Sequence, residues 1–260
     1  MSMIELLLLP GIFLKPQPFN LQEEFLKRLR EQQKREALEE RIENAQYYFD
    51  QAAEQLGKRN YGLALELVEK YQEKTKDHPE SEGKANNLLG HIYSRKANCN
   101  KSNMMHFSEL VAKSEWLGKS KEARANKQKR LGEIKKWHQN LKKAHDYFEQ
   151  AANDQPRKLE YCVDLGIFYN NQGRFEEAES EFEIAIQIAP NSGHAQLLYG
   201  LSLINVKNYR KGRIRLIKAV ELDEKYHQFV ESILKRIPND SDPVQKSDPY
   251  TIVPIRDYRP

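Results

Sequence analysis

The sequence has too few cysteines for a disulfide framework, since only two occur among its 260 residues. Small secreted domains that depend on disulfides carry several paired cysteines. The scarcity favours the cytoplasm or another reducing compartment. The seven histidines and two cysteines also lack the short spacings that a metal site requires, so we predict no metal and no cofactor.

Catalytic signatures are missing as well. The sequence contains no Gly-x-Ser-x-Gly, His-Glu-x-x-His or Gly-x-Gly-x-x-Gly pattern. Gly118, Lys119 and Ser120 resemble the end of a phosphate-binding loop, but Lys113 stands where that motif needs a glycine. We therefore predict no catalytic residue and a protein that is not an enzyme.

No apolar run is long enough to cross a bilayer, which takes about 20 residues. The run at residues 4–14 is interrupted by Pro10 and Gly11. It is also unlike a signal peptide, because Glu5 lies inside it and no basic residue precedes it. We interpret residues 1–19 as an apolar arm that docks on this protein or on a partner. A membrane-surface anchor at residues 4–14 and an atypical export signal are the alternatives.

A period of 34 residues is the strongest pattern that is present. It relates three glycines, three alanines and two prolines: Gly132, Gly166 and Gly200; Ala151, Ala185 and Ala219; Pro156 and Pro190. A fixed period of this length is typical of stacked helical hairpins, because each hairpin buries its apolar face only against its neighbours.

The clearest copy of the pattern runs from residue 159 to residue 190. Its marked positions are Leu165, Gly166, Tyr169, Gly173, Phe175, Ala178, Phe182, Ala185 and Pro190. This copy resembles the tetratricopeptide repeat, in which Leu-Gly, Tyr, Ala, Phe and Pro recur in that order. Gly166 would let the first helix approach the second closely, and Gly173 suits a turn with positive φ.

The resemblance implies an all-α, right-handed α-solenoid of tetratricopeptide-like hairpins with an inserted helical region and extended termini. The insertion is expected because Gly90, in a further Leu-Gly pair, precedes Gly132 by 42 residues instead of 34. We divide the chain into the arm at 1–19, an N-terminal helix and divergent hairpins at 20–97, an insertion at 98–124, repeats with a capping helix at 125–236 (125–158, 159–192 and 193–226), and a tail at 237–260.

The tail at 237–260 holds five prolines, which exclude a helix there. It also carries an unusual apolar cluster for a solvated end: Tyr250, Ile252, Val253, Ile255 and Tyr258. Two interpretations remain open. The tail is either a disordered terminus or an extended peptide that docks on this protein or on a partner.

In the family, the first helix of each hairpin lines a concave groove. The resemblance therefore implies a partner groove that is apolar with a polar edge, lined by Val163, Ile167, Asn170, Asn171, Leu197, Leu201, Ile204 and Asn205. An extended or helical apolar segment of a partner protein would suit that surface. The alternative is that the apolar positions face the next hairpin or the arms of the protein itself.

Two basic clusters stand out from a mild net charge of +4. Their representative residues are Lys127, Lys129, Arg130, Lys135 and Lys136 in the first, and Arg210, Lys211 and Arg213 in the second. Either they are solvated helix faces or they contact an anionic partner. Aromatic residues are sparse around them, which disfavours stacking on nucleic-acid bases.

Taken together, these patterns predict a non-catalytic adaptor or assembly factor that binds partner proteins. An RNA- or anionic-membrane-associated protein that acts through residues 119–143 is one alternative. A structural subunit that is held in a larger complex by its two ends is another.

Overall fold

The computed structural model describes residues 19–76 and 78–238, and all regular secondary structure in these ranges is helical. This confirms the all-α class. The apolar arm and most of the tail lie outside the described residues. Within the described ranges, a 3₁₀ turn at Glu224–Tyr226 accompanies nine α-helices, which are α1 Phe19–Gly57, α2 Tyr61–Lys74, α3 Pro79–Trp116, α4 Ser120–Asp154, α5 Leu159–Asn171, α6 Phe175–Ile188, α7 Gly193–Asn205, α8 Tyr209–Leu222 and α9 His227–Leu234.

The chain divides into two compact units, Met1–Tyr47 and Tyr48–Pro260. In the first unit the described residues form the N-terminal part of α1. This part of the helix is strongly charged, and it carries a pair one turn apart in which Arg28 lies 2.9 Å from Glu24. The second unit holds the end of α1 and all the other helices.

The second unit is a stack of helix pairs. Helices α3 and α4, α5 and α6, and α7 and α8 each pack as a hairpin, and successive hairpins meet where α4 contacts α5 and α6 contacts α7. Helix α9 packs after the last of these hairpins, with Val230 and Ile233 buried. One continuous core runs from Ala144 to Ile237, so each hairpin buries its apolar face against the next.

Within each of these hairpins a glycine on the first helix meets a large side chain on the second. A Cβ added at Gly166 would lie 3.0 Å from the ring of Phe182, and one at Gly200 would lie 2.8 Å from Leu216. Gly173, in the turn between α5 and α6, has a φ of +75°, as the sequence predicts. These are the close approaches that the resemblance to tetratricopeptide repeats implies.

The predicted repeat at 125–158 is wrong, because residues 125–154 lie in the single helix α4. A Cβ at Gly132 would have no neighbour within 4 Å, so this glycine does not permit a close helix contact. The glycine that packs on α4 is Gly90 of α3, whose Cβ would lie 2.6 Å from the ring of Phe148. The first helix of this hairpin is therefore α3.

The bounds of the predicted insertion at 98–124 also change in the structure. Gly90 and Phe148 are 58 residues apart, whereas the corresponding pairs in the next two hairpins are 16 apart. The 42 extra residues lengthen both helices at the turn end of the hairpin, and we define residues 98–139 as the hairpin extension. Because helix continues through it on both sides of the turn, the extra sequence adds about eleven helical turns and no separate module.

The two helices of the extension are joined by polar side chains. Glu133, which is almost fully buried, accepts hydrogen bonds from Asn100 (2.8 Å), Asn103 (3.2 Å) and Lys136 (2.9 Å). The bond from Asn100, followed by that from Lys136, lowers the pKa of the Glu133 carboxyl below its ordinary value. Asn140 also donates to the side-chain oxygen of Asn100 at 2.8 Å.

Replacing Glu133 with glutamine should make the protein less stable at neutral pH, by about 1–2 kcal/mol, because charge-assisted hydrogen bonds are lost. A carboxyl whose pKa is lowered by folding stabilises above its unfolded pKa, and this contribution disappears as the pH falls through the folded pKa. The gap between wild type and variant should therefore close in acid. Urea unfolding followed by circular dichroism across pH 3–7 measures it.

Glu122→Gln is the matched control on the same helix. Its carboxylate is exposed and lies 3.7 Å from the exposed ammonium of Lys119, so its loss should change stability little. A Glu133 variant whose destabilisation does not vary with pH would contradict the role of the ionised carboxylate.

Candidate functional site

An open groove of about 800 Å³ lies in the second unit. Helices α3 and α5 form its walls. Its principal lining residues are Arg59 and Tyr61 beside the turn before α2; His91, Ser94, Arg95, Asn98, Cys99, Lys101 and Ser102 on α3; Trp137 and Phe148 on α4; and Asp164, Ile167, Phe168, Asn171 and Gln172 at α5.

Helical spacing explains why these side chains share one space. On α3 the groove residues include positions 91, 94, 95, 98 and 102, and on α5 positions 164, 167, 168 and 171. Steps of three and four place side chains on the same face of a helix. Both helices are the first members of their hairpins.

A polar link crosses from one wall to the other. The carboxylate of Asp164 on α5 accepts a hydrogen bond from the side chain of Asn87 at 2.9 Å, and it lies 3.0 Å from Nε2 of His91. The ring of His91 in turn meets the ring of Phe148 edge-on, with centroids 5.0 Å apart. These contacts fix the spacing of α3 and α5 and also occupy the acidic side chain of the groove.

The groove is rich in positive charge. Among the described residues that line it, Arg59, Arg95 and Lys101 are basic, and Asp164 is the acidic one. Arg59 adopts a left-handed φ of 61°, which a backbone hydrogen bond from its N–H to Leu56 (3.1 Å) helps to hold. The tight turn thereby presents Arg59 at the edge of the groove.

The residues predicted for the partner groove fall into two groups. Val163, Leu197, Leu201 and Ile204 are buried and belong to the hydrophobic core. Ile204 packs against the second helix of its own hairpin, because a Cβ added at Gly212 of α8 would lie 2.6 Å from its Cδ1. An apolar concave surface is therefore not present at these four positions.

The remaining predicted residues lie nearer the surface. Ile167 is half-buried and Asn171 is exposed, and both line the groove. Asn170 is buried and accepts a hydrogen bond from Ser202 Oγ at 3.0 Å, which joins α5 to α7. Asn205 is half-buried at the end of α7.

Sequence reasoning missed the basic and polar residues that α3 contributes. Arg95, Asn98 and Lys101 stand at or beside the start of the segment interpreted as an insertion, so they were not assigned to a groove. A continuous helical pattern across residues 91–102 would have been the signal for them. Arg59 could not have been found in this way, because its position depends on a turn.

The first basic cluster lies along α4. Lys127, Lys129, Lys135 and Lys136 are exposed, and Arg130 is half-buried. Lys127 forms an ion pair of 2.6 Å with Glu115 of α3, and Lys136 pairs with Glu133. Lys129 stands over the ring of Phe107 at 5.8 Å. Part of this charge is therefore matched between the two helices of the extension.

The second basic cluster lies on α8. Arg210 and Lys211 are exposed, whereas Arg213 is half-buried and donates to the carbonyl oxygen of Pro238 at 2.8 Å. Lys211 lies 3.6 Å from Glu179 of α6. Because α4 packs on α3 and α5 whereas α8 packs on α7 and α9, the two clusters sit at different levels of the stack.

Residues 19–76 and 78–238 contain no group of three His, Cys, Asp or Glu side chains placed to hold a metal ion. The thiol of Cys162 is buried, and burial raises its pKa to about 11, so it stays protonated at neutral pH. Cys99 is exposed at the groove, with its sulfur 3.9 Å from the hydroxyl of Tyr61. No helix in the same ranges is long and apolar enough to cross a membrane.

Comparison with known proteins returned similar structures only. No protein-family model and no curated protein sequence matches the chain. The peptide-binding tetratricopeptide protein YrrB is 20% identical, with 77% of this chain and 96% of YrrB covered and a TM-score of 0.35. The tetratricopeptide protein TTC0263 of Thermus thermophilus is 16% identical, with 74% and 99% covered and a TM-score of 0.39. MamA MSR-1 is 21% identical, with 70% and 98% covered and a TM-score of 0.32.

Proposed function

We propose that this stack of tetratricopeptide-like hairpins is a non-catalytic adaptor that binds an acidic segment of a partner protein in the groove between α3 and α5. The observation that carries the proposal is the charge of the groove. Arg59, Arg95 and Lys101 line it, while the carboxylate of Asp164 is engaged by Asn87 and His91. Such a surface favours a negatively charged ligand and disfavours a basic one.

The size of the groove limits the kind of ligand. A volume of about 800 Å³ lies within the usual range of ligand pockets, about 300–1,000 Å³. A short extended segment of a partner fits such a space, whereas a folded domain does not. Because the groove is open to solvent, the segment can enter it and leave it.

The lining also offers partners for the other parts of a peptide. Asn98, Asn171 and Gln172 carry amide groups that both donate and accept hydrogen bonds, as an extended peptide backbone requires. Ile167 and Trp137 supply apolar surface for one side chain of the segment. The apolar side chain of the segment would therefore bind at Ile167 and Trp137, because Leu197 and Leu201 are buried.

Intrinsic fluorescence can report whether the groove is occupied. The chain has two tryptophans, and Trp137 lines the groove. In a Trp116→Phe variant of the full chain, Trp137 is the single tryptophan. Titration with a short peptide in which Glu alternates with Phe or Ile should change its emission, whereas the same peptide with Lys in place of Glu should not.

The double substitution Arg59→Glu with Lys101→Glu should weaken binding of the acidic peptide by on the order of tenfold or more, because like charges would then face each other. The matched control is Lys211→Glu with Lys218→Glu on α8, which changes the net charge equally but lies outside the groove. Equal weakening by both pairs, or a response of Trp137 to the basic peptide alone, would overturn the proposal.

A further inference from the structure

The turn of the long hairpin exposes a tryptophan. Trp116, the last residue of α3, has 85% of its surface exposed, and the adjacent Leu117 has 46% exposed. Among the described residues, Trp116 has the highest exposed fraction of the exposed large apolar side chains, and such a ring gains much free energy when another surface covers it. We define residues 113–127 as the hairpin tip.

The hairpin tip is a narrow end made of two helices. Its interhelical contacts join α3 to α4, through the Lys127–Glu115 pair at 2.6 Å and a hydrogen bond from Asn126 to Ser114 at 3.5 Å. The buried side chain that α4 contributes beside them is Ala123, which is small. The tip lies about 28 Å along α3 from Ala97, where the extension begins.

The hairpin tip also carries an excess of positive charge. Glu115 pairs with Lys127, and Glu122 lies 3.7 Å from Lys119. Lys113, Lys121 and Arg124 are exposed in addition, and they have no acidic counterpart in residues 113–127. An exposed tryptophan therefore stands among three excess cations at the turn between α3 and α4.

We propose that the hairpin tip docks on an anionic lipid surface, with Trp116 and Leu117 inserted at the headgroup level and Lys113, Lys121 and Arg124 against the acidic headgroups. Tryptophan prefers the boundary between headgroups and acyl chains, and basic residues next to it add attraction to anionic lipid. This inference is independent of the groove. It assigns a second binding site at the far end of the same hairpin.

The aromatic content of the hairpin tip favours lipid over RNA. Single-stranded nucleic acid binds where several aromatic side chains stack on successive bases. The hairpin tip offers one indole, that of Trp116. One exposed tryptophan with an adjacent leucine and flanking basic residues is instead the composition of elements that bind at a membrane interface.

The test uses the full chain with Trp137→Phe, which leaves Trp116 as the single tryptophan. Vesicles of phosphatidylcholine with phosphatidylserine should shift the emission of Trp116 to shorter wavelength and protect it from acrylamide, and vesicles of phosphatidylcholine alone should do so weakly. High salt should reduce the effect because headgroup attraction is screened. The Trp116→Phe variant, which reports from Trp137, should show no such shift.

Charge reversal then shows whether vesicle binding depends on the basic residues of the hairpin tip or on positive charge anywhere on the protein. Lys113→Glu with Lys121→Glu and Arg124→Glu should weaken vesicle binding by on the order of a hundredfold or more. The matched control reverses Arg210, Lys211 and Lys218 to Glu on α8 and should retain binding. A Trp116 emission that is unchanged by vesicles, equal losses in both triple variants, or a response to polyuridylate but not to vesicles would overturn the proposal.

Discussion

Leu201→Ala should lower the free energy of unfolding by about 2–5 kcal/mol, the range for removing a buried leucine side chain from a packed core. Leu201 is 2% exposed and belongs to the core that joins the last hairpins. The family resemblance assigns this residue to the partner groove, so a large loss of stability identifies it as a packing residue. Urea unfolding followed by circular dichroism measures the loss.

Ile167→Ala is the control variant with which the stability loss of Leu201→Ala is compared. Ile167 is half-buried and lines the groove, so its truncation should cost less than half as much stability as that of Leu201. It should instead weaken binding of the acidic peptide. A stable Leu201→Ala protein with impaired peptide binding would restore the apolar groove and contradict the burial of Leu201.

Gly90→Ala should destabilise the protein by about 1–3 kcal/mol, because the added methyl group overpacks a close helix contact. Its Cβ would lie 2.6 Å from Cδ1 and 2.8 Å from Cγ of Phe148. Phe148 is 2% exposed, and Cγ is the ring atom nearest its backbone, so the ring cannot move away freely. Thermal and urea unfolding of the two proteins give the difference.

Gly132→Ala should have the opposite effect and stabilise the protein. A Cβ at this position meets nothing within 4 Å, and Gly132 lies inside α4, where alanine is favoured over glycine by about 0.5–1 kcal/mol. The two substitutions decide the register of the hairpin. A stabilising Gly90→Ala and a destabilising Gly132→Ala would show that Gly132, and not Gly90, is the glycine of the close contact.

The 34-residue period identifies equivalent positions in successive hairpins only where both helices of a hairpin have standard length. From Ala144 onward the second helices keep the step, with Phe148 in α4, Phe182 in α6 and Leu216 in α8. Gly132 precedes Gly166 by the same interval, yet it lies on an exposed face of α4. A period in the sequence records distance along the chain, and a longer hairpin changes which residues that distance brings into contact.

A helix face can be predicted from the sequence, but the chemistry of the cavity beside it cannot. Steps of three and four identify such a face, and Ile167 and Asn171 line a cavity on one of them. Whether an apolar face is covered depends on the next hairpin, and the packing of α7 buries Leu197 and Leu201. Arg59 and Lys101 reach the groove from a turn and from a different hairpin, which no local pattern joins to α5.

The sequence by itself determined the helical hairpins, the tight turn at Gly173 and the close helix approach at Gly166, because helix formation and the fit of one hairpin depend on residues that are near in the chain. Tertiary structure alone decided that Gly90 pairs with Phe148, that Leu201 is core and that three cations share a groove with Asp164. These features arise between elements that are distant in the sequence, where contact is set by how helices pack in space.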